Sequence, residues 1–265
     1  MKIFISSDIE GTNDICAWEE TEADGRFYPY YAEKMSREVA AVCEGINDAA
    51  SGADILVKDA HDSGRNIDHA LLPENVRLNR GWSGHPYKMM AGIDSSYDAS
   101  MVTGYHSGGG YDGNPLAHTM SMSIPTIHFN GVLGSEWLMN YYTSLYAGVP
   151  MVLVAGDRQL CEFAKTIEPN IYTYETTRGI GGAVTGRHPA VVNRELREIA
   201  REAVSNRDRM TAKLPDHFHV EIRFREHKIA YKASFYPGVE RIDAHSIAYD
   251  TDDYFEFLRM FTFVY

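Results

Sequence analysis

The apolar positions of this chain fall into short buried runs that alternate with longer stripes of helical period. Ile3, Phe4 and Ile5 are consecutive, so both faces of the strand they predict are covered, as in a parallel sheet. A polar loop, 13–26, carries no assignable period. From about Pro29, the residues Tyr31, Met35, Val39, Val42, Ile46 and Ala49 recur at helical spacing, and Ser51-Gly52 closes that helix. Residues 54–57 then predict a second strand. Strand, helix, strand is a βαβ unit, which sets the two strands parallel. Runs at 101–105, 126–130 and 150–154 continue the pattern. Helices are predicted over 136–146, through Trp137, Leu138, Tyr141 and Leu145, and over about 158–167.

The later chain reads differently. The glycines of 176–182 lack G-x-G-x-x-G spacing and predict a connection, not a nucleotide cradle. Pro189 opens a long charged helix to about Lys213, with Val192, Leu196, Ile199 and Ala203 on its apolar stripe. Alternation over 218–248 (Val220, Ile222, Phe224; Ile229, Tyr231) predicts antiparallel hairpins. Thr251, Asp252 and Asp253 cap a last helix that is apolar nearly all round, hence buried in the subunit or in a subunit interface. The expected architecture is α/β: a mostly parallel sheet flanked by helices over 1–215, and a smaller C-terminal α+β part over 216–265.

Composition narrows the function classes. A length of 265 residues suits one large α/β domain. A net charge of -12 with no basic stripe argues against nucleic acid as a partner. Cys16, Cys43 and Cys161 are far apart and odd in number, which suggests a reducing compartment. The start has no signal-like apolar stretch and no ~20-residue apolar span follows, so a cytoplasmic protein without a membrane partner is expected.

The chemistry begins at Asp8-Ile9-Glu10-Gly11, where the first strand ends in two carboxylates. Their i, i+2 spacing puts both on one face at the sheet edge where open α/β folds bind ligands. Two carboxylates on one face repel unless a cation lies between them. His61 and His106 each follow a strand-like run, among small residues, and would share that edge. Glu136 lies in the first turn of its helix, and His118 and His128 are further candidates. His128, inside a strand, reads as a packed histidine or one supporting a ligand, and Asp59 as a group orienting His61. Mixed Asp/Glu/His ligation suits zinc, manganese or iron better than calcium or magnesium. So many ligands exceed the needs of one catalytic zinc, and a two-metal centre with a bridging carboxylate accounts for them.

These motifs stand in an order that resembles a known family. Asp8-Ile-Glu-Gly11, Lys58-Asp-Ala-His61, Gly104-Tyr-His106, Ala117-His-Thr-Met120, Asn130-Gly131 with Glu136, Val154-Ala-Gly-Asp157 and Pro237-Gly-Val-Glu240 follow one another as in the M55 metallopeptidases, the family of the bacterial D-aminopeptidases. The resemblance spans nearly the whole chain. It implies zinc ligands at Asp8 (bridging), Glu10, His61, His106 and Glu136, two zinc ions per subunit with manganese or cobalt as substitutes, and His118 as catalytic nucleophile or acid/base. It also implies a homodecamer enclosing its active sites. The expected reaction is release of the N-terminal amino acid from a short peptide or amino-acyl amide. Alanine precedes His61 where serine is common in the family, and three glycines follow His106 at 108–110; both leave substrate preference open.

Two rivals exist. Asp8-Ile-Glu-Gly-Thr12 imitates the D-x-D-G-T start of magnesium-dependent haloacid-dehalogenase-type phosphatases. Glu10 stands in place of their second Asp, however, and that reading employs none of the histidines. The other rival is a non-catalytic, metal-stabilised binding protein on the same fold.

Overall fold

The first strand sets the layers. In the computed structural model, which describes residues 1–265, β1 (Lys2–Ser7) points Phe4 to one side and Ile3 and Ile5 to the other, each into its own apolar core. Seven strands form the sheet, in the order β3-β2-β1-β4-β7-β8-β9. The remaining members are β2 (Asp54–Asp59), β3 (Val76–Asn79), β4 (Ala99–Tyr105), β7 (Met151–Asp157), β8 (Tyr172–Ile180) and β9 (Ala183–Gly186). All pair in parallel except β9, which folds back on β8. β4 and β7 are buried at every position, as central parallel strands with both faces covered must be.

On the Ile3 side lie α1 (Tyr28–Ala49) and α4 (Pro189–Ser205), with Met35, Val39, Val42 and Ile46 of α1 meeting Val192, Leu196 and Ala200 of α4 in one core. The Phe4 side is covered by α2 (Glu136–Tyr146), α3 (Arg158–Ile167), α6 (Tyr254–Val264) and a second sheet. That sheet is antiparallel, in the order β11-β12-β10-β5-β6, from β5 (Thr126–Phe129), β6 (Val132–Leu133), β10 (Phe218–Arg223), β11 (Val239–Arg241) and β12 (Ser246–Thr251). No helix is long and apolar enough to cross a membrane.

Four expectations need correction. The 126–130 run does not join the parallel sheet: only Ile127 and Phe129 of β5 are buried, and this one-sided alternation suits an antiparallel sheet with one face covered. Residues 176–182 are the end of β8 and its hairpin turn, where Gly181 takes φ +58. Ile229 and Tyr231 belong to a short helix, α5 (His227–Ala233), not to a hairpin. The long helix stops at Ser205, because residues beyond it are recruited elsewhere: the Glu168 carboxylate accepts the amides of Thr211 and Ala212, both at 2.7 Å.

Candidate metal centre

The order of the strands decides where the site forms. From β1 the chain winds through β2 to β3 on one side and resumes at β4 on the other, so the topological switch lies between β1 and β4. Asp8 and Glu10 follow β1, His61 follows β2, and His106 follows β4. Two glycines let the segments meet. A Cβ on Gly11 would lie 1.8 Å from the Tyr105 carbonyl oxygen, and one on Gly104, at φ +66, would lie 2.1 Å from that of Asp8. Only glycine tolerates these approaches, and the Gly11 amide donates to the Gly104 carbonyl at 2.8 Å.

The remaining groups come from the Phe4 side. Ser135 caps α2, its hydroxyl accepting the Leu138 amide at 3.2 Å, and this places Glu136 in the first turn where a carboxylate is favoured. Glu136 Oε1 accepts the Met120 amide at 2.6 Å, leaving Oε2 aimed at His106, 3.8 Å from Nε2. His118 stacks on His106 with ring centroids 4.5 Å apart.

The structure therefore brings six sequence-predicted residues together: Asp8, Glu10, His61, His106, His118 and Glu136. They form three overlapping clusters of potential ligand atoms, Asp8–Glu10–His61, Asp8–His106–Glu136 and Glu10–His106–His118. His61 Nδ1 lies 3.2 Å from both Asp8 Oδ1 and Glu10 Oε2. His106 Nε2 lies 3.7 Å from Asp8 Oδ2 and 4.0 Å from Glu10 Oε2. His118 Nε2 lies 3.5 Å from Glu136 Oε1 and 4.0 Å from Glu10 Oε1.

Hydrogen bonds on the far ring nitrogens fix what faces inward. His61 Nε2 meets the Thr21 carbonyl at 3.0 Å, His106 Nδ1 the Ser107 carbonyl at 2.9 Å, and His118 Nδ1 the Leu116 carbonyl at 2.8 Å. A carbonyl only accepts, so each of these nitrogens carries the hydrogen, and in the neutral ring the other nitrogen turns a lone pair toward the carboxylates. Glu10 Oε2 and His106 Nε2 are buried without any hydrogen-bond partner. Acceptors facing acceptors at 3.2–4.0 Å suit a shared cation: two ligands at about 2.0–2.1 Å from a tetrahedral zinc stand roughly 3.3 Å apart. The residues fit divalent cations.

Proton affinities report the same crowding. Burial pushes the Asp8 carboxyl well above its usual range, and the neighbouring Glu10 charge adds to this. Burial would raise Glu10 too, but His61, His106 and His118 hold it well below. Burial opposes the charged form of the histidines, yet Glu10 and Asp8 raise His61 well above its usual value, while Glu136, Glu10 and Asp8 raise His106 to about 9.

One supporting role differs from expectation. The Asp59 carboxylate does not reach the His61 ring. It accepts from the Asn66 amide and side chain and from the Ile67 amide, while Asn66 Nδ2 also donates to the His61 carbonyl, so Asp59 braces the loop. His128 is half-buried on β5, opposite Ile127 and Phe129, and stands outside all three clusters. Sequence reasoning passed over Asp157 as a support. It ends β7, caps α3 by accepting the Leu160 amide at 2.8 Å, and accepts the Ser107 hydroxyl at 2.7 Å and the Ser107 amide, holding the residue beside His106. Its place at a strand end before a helix was the available signal. The cleft of about 670 Å³ over the cluster is walled in part by residues outside the motifs, among them Trp18, Trp82, Lys88 and Tyr265.

Comparison with known proteins matches this geometry. The profile of the Peptidase M55 family, described as D-aminopeptidase, covers residues 1–263. A D-aminopeptidase of Bacillus subtilis (strain 168) is 27% identical over 243 residues, 91% of this chain and 87% of that protein. The solved structure of the Zn-dependent D-aminopeptidase DppA from Bacillus subtilis, a self-compartmentalizing protease, superposes with a TM-score of 0.92 at 25% identity, covering 100% of this chain and 96% of that one. Nothing among these relatives supports a phosphatase or a non-catalytic binding protein. With motif order, fold and cluster in agreement, the chain belongs to the M55 family of D-aminopeptidases.

Proposed function

We propose that this protein is a zinc-dependent aminopeptidase that releases N-terminal D-amino acids from short peptides or amino-acyl amides. The observation that carries the reading is the cluster itself. Asp8, Glu10 and His106 each belong to two of the three ligand groups; with Asp8 as the bridging carboxylate, Glu10 and His61 complete one side and His106 and Glu136 the other. Two bound divalent cations, zinc or in its place manganese or cobalt, supply Lewis acidity for the scissile carbonyl and for a water.

The chain's own residues do the rest. The Leu116 carbonyl pins His118 so that Nε2 faces the cleft, and its side chain, 13% exposed, keeps contact with substrate space. Trp18, edge-on with ring centroids 5.3 Å apart, shields its outer side. From there His118 accepts a proton at Nε2 and returns it to the leaving amine. Relatives described as D-aminopeptidases, one of them Zn-dependent and self-compartmentalizing, support the substrate class, the metal and a homo-oligomer. We assign a homodecamer and a cytoplasmic location. The deciding experiment is metal analysis together with a panel of D-, L- and β-amino-acyl amides and dipeptides. Two zinc ions per chain and turnover of D substrates are expected. No hydrolysis with zinc, manganese or cobalt loaded refutes the proposal.

A further inference from the structure

The cleft wall contains one cation that nothing in the chain employs. Lys88 lines the same cleft as His118 and Glu136. Its ammonium lies 5.0 Å from the ring centroids of both Phe261 and Tyr265 and has no carboxylate within salt-bridge distance. The other lysines held inside the fold are satisfied: Lys34 donates to the Asn13 carbonyl and the Asp14 carboxylate, and Lys58 to the carbonyls of Asp59 and Gly81. Aromatic rings attract an ammonium but leave its hydrogen-bonding capacity unspent.

The backbone holds Lys88 in place at a cost. It takes φ +46, a left-handed conformation unfavourable for a long side chain. The next residue is anchored twice: the Met89 carbonyl accepts the Ser6 hydroxyl at 2.8 Å, and its sulfur accepts from Asn140 Nδ2 at 3.3 Å. Ser6 lies in β1, the strand that leads into Asp8, so the Lys88 turn is tied to the same framework as the ligands. A strained, anchored turn presenting an unpaired cation beside a hydrolytic site is a site for an anion.

We propose that Lys88 binds the free α-carboxylate of the residue following the scissile bond, which makes the enzyme selective for dipeptides over amidated or longer substrates. This rests on the aminopeptidase reading above. In a dipeptide the carboxylate lies one residue beyond the cleaved bond, and each further residue moves it about 3.3–3.6 Å away. An ammonium partly shielded by Phe261 and Tyr265 bonds a carboxylate more strongly than one in open water. An amide offers it no charge.

The test compares D-alanyl-glycine with D-alanyl-glycinamide on the zinc-loaded full-length enzyme. The wild type should favour the free acid in kcat/KM by roughly 10–100-fold, the value of one charge-assisted hydrogen bond. Lys88→Met should erase most of that ratio, chiefly through KM for the acid, and Lys88→Arg should restore part of it. A Lys88 that merely supports the fold would lower both substrates together and leave the ratio unchanged, which overturns the assignment. Equal hydrolysis of acid and amide by the wild type also overturns it while leaving the aminopeptidase reading intact, and requires no variant to fold. Hydrolysis of neither substrate by the wild type overturns both.

Discussion

Glu38 offers a test of how this fold tolerates a buried charge away from the site. It lies on α1 at 3% exposure, and its carboxylate accepts the Asn13 amide at 3.0 Å. Burial pushes its carboxyl up to about 8, although that amide and the nearby Lys34 charge pull the other way. The folded protein then holds a proton that the unfolded chain releases near 4.5, so stability is full below 4.5 and is lost as pH rises toward 8. At about 1.4 kcal/mol per pH unit, carrying Glu38 costs roughly 3 kcal/mol at pH 7 relative to a neutral side chain. Glu38→Gln keeps the shape and the acceptor for the Asn13 amide, and Lys34 retains Asp14 as its partner. The variant should match the wild type near pH 5 and exceed it by about 2–4 kcal/mol at pH 7–8. Guanidinium unfolding at pH 5, 6, 7 and 8, with protein and zinc concentrations matched, measures the difference. A difference that does not grow with pH, or a variant less stable at pH 8, would refute the argument.

On the proposed two-ion centre, Asp8→Asn should lower bound metal to one ion or none, whereas Glu10→Gln should spare one; plasma emission spectroscopy on the purified proteins counts them. His118→Ala should abolish turnover with metal content unchanged, and retained activity would remove His118 from the catalytic role. Asp157→Ala leaves the Leu160 and Ser107 amides without their charged acceptor, and should cost about 3 kcal/mol, roughly 10 °C in Tm, while weakening metal at His106. If Asp157→Ala melts with the wild type, the brace is unimportant.

The parallel core was legible because its strands are apolar at consecutive positions, as at Ile3-Phe4-Ile5, and end in polar residues that topology then gathers. The six clustered side chains were legible for the same reason: each sits next to a strand end or in a helix first turn, except His118. What stayed hidden depends on pairing across distance. Thr126–Phe129 looks alike in either sheet, and only its partner β10 decides. Val76–Asn79 is a four-residue edge strand with one buried position, too little period to register. Ile229 and Tyr231 alternate like a strand but lie on α5, where Ala230 and Ala233 face the core. Trp18 and Lys88 come from turns and one-turn helices whose position follows from tertiary anchoring alone.

The pairing of β5 with β10 also orders events during synthesis. The segment that carries His118 and leads to Glu136 includes a strand whose partner, with Phe129 opposite Val220, is made roughly ninety residues later. A ribosome-bound chain has all six clustered side chains by Glu136, yet the layer over the Phe4 side is incomplete until β10 and α6 have emerged. Long-range pairing of this kind forms slowly. The side chains at the ends of β1, β2 and β4 are gathered by strands made early, whereas the α2 layer that carries Glu136 gains its full cover only with β10 and α6.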